Sequence, residues 1–179
     1  PVCQVFSYPY VLAVRADSPY QSLADFVAGA RSAKKELSYG FGGVGTAPHF
    51  AMLQLAQVSG TKLLGAPYRG DPPVAAGLKG GEVDSAVLTV EFSTRRGGKF
   101  RAGGNDRRRS NLPSLPTARE QGMDVVAATN AVVVAPAGLS ADVSRKLEAA
   151  CAAAVRRPEF EESMKKSGQT IDHLDGARF

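Results

Sequence analysis

The chain has 179 residues, 44% hydrophobic and 22% charged, which suits one ordinary domain or two small lobes with a real core. No apolar run approaches the ~20 residues a membrane helix needs, so a bilayer-spanning segment is excluded. The formal net charge of +5 favours anionic partners, whether carboxylates, phosphates or nucleic acid.

The start, Pro1-Val-Cys-Gln-Val-Phe, carries neither a basic leader region nor a cleavage site, so it reads as a chain with its leader removed or cut from a longer one. Tyr10 to Arg15 is a short apolar strand, after which Asp17 or Ser18 can cap a helix over Ser22 to Ala33. Leu37 to Phe41 is a strand that runs into Gly42-Gly-Val-Gly-Thr46, and Pro48 then opens a helix. Leu63 to Tyr68 is the next strand, Asp71-Pro-Pro begins a helix closed by Gly80-Gly81, and Val83 to Val90 is a strand by its β-branching. Arg95 to Ser110 reads as loop. Leu115-Pro-Thr leads into a short helix ending at Gly122, and two strands follow, Val125 to Thr129 and Ala131 to Ala135. Ser140 caps the longest helix, to about Arg157, and Pro158 opens the last, stopped by Gly168. Strands alternating with helices imply an α/β fold with a mostly parallel, doubly wound sheet. In such sheets ligands sit beyond the carboxyl ends of the strands.

The best-marked loop of that kind is Gly42 to Thr46. Its glycines let the backbone turn tightly, and the following helix start offers N–H groups and a positive dipole end to an anion. The same residues also fit a plain turn with Thr46 as cap. The glycine spacing is not that of a dinucleotide fold, and no Gly-Lys-Ser/Thr follows as in a Walker loop.

YGFGGVGTAPH, APYRGDPPVAAGLKGGEVD, GGKFRA, RRSNLPSLPTAREQG and APAGLS occur in one order at one spacing. That series resembles the tripartite tricarboxylate transporter receptors, the TctC and Bordetella-uptake-gene type of periplasmic binding protein. The resemblance spans about Tyr10 to Phe179. It implies a two-lobe, type II periplasmic-binding-protein-like fold that closes on a small carboxylate and passes it to membrane transporter subunits. It further implies a periplasmic protein that uses no cofactor and is monomeric at full length. Main-chain N–H groups and hydroxyls hold the carboxylate in such receptors. The matching positions are Gly43, Val44, Gly45 and Thr46 in the loop, His49 on the helix, and Tyr68, Arg69 and Gly70. Thr89 and Glu91 follow at a strand end. Residues 10–130 would form the second ligand-binding lobe, and 131–179 a crossover strand and helices that pack on the first. The family's N-terminal lobe segment has no counterpart here, nor has its last helix. Gly103-Gly-Asn-Asp106 stands where the family has an apolar strand, and Asn130 where many members have Trp.

Other readings stand beside these. His49 also suits a satisfied structural histidine, Arg69 a structural ion pair and Asp84 a turn acceptor, while His173 has no partner motif. Cys3 and Cys151 could form one disulfide, but the favoured expectation is a frayed terminal thiol and a buried helical one. Two histidines and two scattered cysteines make no metal site, and no nucleophile elbow or acid/base pair emerges, so no catalytic residue is expected. The alternative function is nucleic-acid binding through the Arg/Gly-rich segment 95–109, whose single aromatic, Phe100, gives little to stack bases on. The receptor reading expects no nucleic acid.

Overall fold

Strand β1 runs unbroken from Cys3 to Val14 although Pro9 stands in its middle. Proline has no N–H to give a ladder, and here it falls where the partners change. Cys3, Gln4 and Phe6 pair with β7 (Ile171–Asp175), whereas Tyr10 to Val14 pair with β4 (Ser85–Thr89). The computed structural model describes residues 1–89, 99–103, 113–167, 169 and 171–178. They divide into two units, an inserted one of residues 9–128 and a split one of residues 1–8 with 129–179.

The inserted unit holds a sheet of order β3-β2-β4-β1-β5. Strand β2 (Leu37–Phe41) is parallel to β3 (Leu63–Pro67) and to β4. The parallel expectation stops there, because β1 runs antiparallel to both β4 and β5 (Lys99–Gly103). Apolarity reveals a strand but not its direction. Strand β5 also replaces part of the expected loop with ladder, bulged opposite Leu12 and Ala13; Arg95, Arg96 and Arg107 to Arg109 lie outside the described residues.

Period-2 alternation sorts the core into two layers. Leu12, Val14 and Val87 point into a cluster with Leu23, Phe26, Ala51, Met52 and Leu55 from helices α1 (Leu23–Ser32) and α2 (Ala47–Ser59). Their neighbours Ala13, Ala86 and Leu88 face Val74, Ala75 and Leu78 of α3 (Asp71–Gly80). Helices thus cover both faces of the sheet. Helix α1 is capped by Ser22, whose Oγ accepts the Asp25 N–H at 3.0 Å, not by Asp17 or Ser18. The helix expected before Gly122 is a single 3₁₀ turn, Arg119–Gln121. It is preceded by a reciprocal cap in which Thr117 N–H donates to Glu120 and Glu120 N–H to Thr117. The Tyr10 N–H donates to the Ala127 carbonyl at 3.2 Å, so the two ends of the unit meet.

Asp84 ties β2 to β4, its Oδ2 accepting the Ser38 N–H at 2.8 Å and the Ser38 hydroxyl at 2.7 Å. Burial works to raise this carboxyl, but the Ser38 hydrogen bonds, with Lys35 and Arg15 nearby, outweigh it and hold it below the ordinary carboxylate range. A folded-state value below the unfolded one adds stability that is complete above the unfolded value, about pH 4, and fades as pH falls through the folded one. The stability gap between the parent and Asp84→Asn, read by urea unfolding, is therefore expected to be widest above pH 4 and to narrow below it. A constant gap would contradict this.

In the split unit, β6 (Ala128–Val133) is one strand where two were expected, and it precedes α4 (Ala141–Val155), α5 (Pro158–Lys166) and β7. Ser140 caps α4 through the Val143 N–H. Strand β7 has no forecast in the sequence, since its partners in β1 lie at the other end of the chain. Cys3 and Cys151 form a disulfide. This corrects the expectation of two separate thiols: Cys3 is fully buried within β1, not frayed. Among the described residues no helix is long and apolar enough to cross a membrane.

Candidate functional site

Because β3, β2 and β4 are parallel, their carboxyl ends share one edge, and three segments leave it: Gly42 to Thr46, Tyr68 to Gly70, and Thr89. Contact between the first two requires glycine. A Cβ on Gly42 would lie 3.2 Å from the Gly70 Cα and 3.4 Å from Asp71 Oδ1. The third is stitched to the second by Asp71, whose Oδ2 accepts the Thr89 N–H at 3.0 Å and the Thr89 hydroxyl at 2.8 Å. Thr89 thus anchors the β3–α3 loop through Asp71, a residue that sequence reading had not singled out as part of the site. The Asp71-Pro-Pro helix start was the available signal.

Inside the glycine loop two polar side chains brace the backbone. The Thr46 hydroxyl donates to the Gly43 carbonyl at 2.6 Å, and His49 Nδ1 accepts the Gly45 N–H at 3.2 Å. The His49 ring stacks on Phe41 with centroids 4.5 Å apart and planes 9° apart. The hydrogen bond on one side and the stacking on the other leave the ring fixed between strand and loop. Gly43 (φ 141°) and Gly45 (φ 78°) adopt backbone angles that other residues rarely reach. The Gly45 N–H and Thr46 hydroxyl are spent internally, while the N–H groups of Gly43 and Val44 have no acceptor among the described residues. They stand at the start of α2, where the helix dipole favours negative charge. Val44 is 73% exposed beside them.

The Tyr68–Gly70 segment divides its members. Arg69 is exposed and makes no ion pair among the described residues. Gly70 takes φ 89° ahead of α3. Tyr68 turns away along α3, its hydroxyl donating to Glu82 at 3.0 Å over Gly77, which has no side chain to obstruct it. Burial, then Glu82, push that hydroxyl above its ordinary value. Glu91 lies outside the described residues. A separate apolar cavity of about 40 Å³, bordered by Tyr10, Met52, Leu55, Val87 and Val125, lies in the same unit.

Replacing Gly42 by Val is expected to cost about 1–3 kcal/mol, since the obstacle at Gly70 is backbone and must move. Gly80→Ala, where a Cβ meets nothing within 4 Å, should instead stabilise slightly by its helix propensity. Urea midpoints check both signs.

A family model described as "Tripartite tricarboxylate transporter family receptor" matches residues 1–176. A UPF0065 protein of Bordetella pertussis is 33% identical over an alignment of 179 positions, covering 94% of this chain and 54% of that protein. The chain spans about half the length of the curated relatives first matched. Among solved structures, a TctC solute-binding protein from Polaromonas superposes with a TM-score of 0.86 at 22% identity, over 99% of this chain and 62% of its own. MatC of Rhodopseudomonas palustris, with bound malate, superposes at 0.76 and 25% identity, over 96% and 60%. The fold is that of type II periplasmic binding proteins.

Proposed function

Since the chain belongs to the tripartite tricarboxylate transporter receptor family, we propose that it captures a small carboxylate at the edge formed by Gly42 to Thr46 and hands it to membrane transporter subunits. The observation carrying this reading is the pair of N–H groups, Gly43 and Val44, that have no acceptor among the described residues at the start of α2. The two negatively charged oxygens of a carboxylate can accept from both of them. His49 and the Thr46 hydroxyl hold the loop for that purpose, and Arg69 adds a cation on the neighbouring loop. Malate bound to MatC supports a dicarboxylate as ligand class. In this reading residues 10–130 are a ligand-binding lobe, residues 131–179 supply elements packing on another lobe, and closure completes the site. The periplasm is the proposed location, binding rather than turnover the role, and the whole protein acts as a monomer without cofactor.

A thermal-shift panel of malate, succinate, citrate, glutamate and benzoate tests it. At a hundred times Kd, mass action adds about 2.7 kcal/mol to a state that alone binds ligand, and the midpoint should rise. Absence of a rise with every carboxylate, joined to salt-sensitive oligonucleotide binding, would overturn the reading in favour of nucleic acid.

A further inference from the structure

The split unit gathers three donors that the sequence scatters: Cys3, Cys151 and His173, whose ligand atoms lie within 4.8 Å of one another. The sequence had implied no metal site, for want of spacing; the fold supplies the proximity instead. Cys3 is buried in β1, and Cys151 and His173 are half-buried, on α4 and β7. His173 Nδ1 lies 2.9 Å from the Gln4 carbonyl. A carbonyl only accepts, so Nδ1 carries the proton and the neutral ring has its lone pair on Nε2. Metal-bound histidines are oriented by such a bond from the other ring nitrogen.

We propose that these residues form a redox-gated site for a thiophilic cation of the zinc class, occupied only when the disulfide is open. A dithiol or phosphine reductant supplies two electrons and, with two protons, converts the S–S bond to two thiols. Binding of a divalent ion then displaces both thiol protons and adds the imidazole. With Zn–S near 2.3 Å, tetrahedral geometry sets the sulfurs about 3.8 Å apart, so the two sulfurs must part from bonding distance as the ion enters, with His173 already within 4.8 Å of both. Three protein donors leave the fourth position to water or an external ligand. Disulfide and ion exclude each other, since both need the same two sulfurs. This inference is independent of the carboxylate reading, which concerns the other unit.

The test uses the whole 179-residue chain and Co(II) as a coloured stand-in for Zn(II). After phosphine reduction and removal of the reductant, one Co(II) per chain should bind with sulfur-to-cobalt charge-transfer absorption and the intense visible bands of a tetrahedral site. The oxidised chain should give neither. His173→Ala, which keeps the disulfide and so can be prepared folded, should weaken the reduced form's Zn(II) affinity about 100-fold or more in competition with a chromophoric chelator. Zn(II) should also raise the unfolding midpoint of the reduced parent. The proposal is overturned if charge transfer is missing, if His173→Ala binds as tightly as the parent, or if the reduced chain gains no stability from Zn(II).

Discussion

Replacing both Cys3 and Cys151 by Ala is expected to lower the free energy of complete unfolding by about 5 kcal/mol, the chain-entropy value for a closed loop near 150 residues. The bond joins residues separated by 148 positions, and the whole inserted unit lies inside that loop. The loss depends on what unfolds. While the inserted unit stays folded, Tyr10 and Ala127 are already together, and the loop left for the split unit to close is only about 30 residues. The same relation then gives about 4 kcal/mol. Urea unfolding of the oxidised parent, the phosphine-reduced parent and the double variant would measure it. The latter two should agree and both fall below the first; coincident midpoints for all three would mean that the bond contributes nothing. A structural disulfide also fits an oxidising compartment, as the proposed periplasmic location requires.

Asp71→Ala is expected to cost about 2–3 kcal/mol. Its carboxylate accepts both the N–H and the hydroxyl of Thr89, and charge-assisted bonds lost from a partly buried site typically cost about 1.5–3 kcal/mol. It is also the first residue of α3, where a negative charge suits the helix dipole by about 0.3–1 kcal/mol. Asp71→Asn keeps an acceptor but not the charge, so it should lie between. If the two variants unfold at the parent's midpoint, the stitch between the β3–α3 loop and β4 is not holding that edge. Thr89→Val supplies the cross-check. It removes one of the two bonds, and its effect should not add to that of Asp71→Ala, because the partners share the interaction.

Much of this was legible in residue order. Leu37 to Phe41, the glycines and Pro48 announce strand, turn and helix through local chemistry alone, and each element stands where it was forecast. Pairing between chain ends was not. The first half of β1 and the whole of β7 are short, partly polar and separated by about the full chain length, so no local pattern marks them. The same holds for Cys3, Cys151 and His173, whose meeting depends on that ladder. Strand β5 was hidden by a basic, glycine-rich composition that reads as loop, since an edge strand needs little apolar character. At the candidate site the sequence marked the loop but not its internal wiring. Only the fold assigns the Gly45 N–H to His49 and the Thr46 hydroxyl to Gly43, and leaves the Gly43 and Val44 N–H groups with no acceptor among the described residues.

The meeting of Tyr10 with Ala127 makes the inserted unit transplantable. A gene for residues 9–128 alone encodes both core layers, and its termini emerge side by side. Such a body can be circularly permuted, with a short peptide joining the old ends and new ones opened at an exposed turn, without lengthening any ladder. Excised in this way, it would let the edge formed by Gly42 to Thr46 be grafted into an unrelated host protein through one surface turn, where the proposed carboxylate binding could be read apart from the rest of the chain.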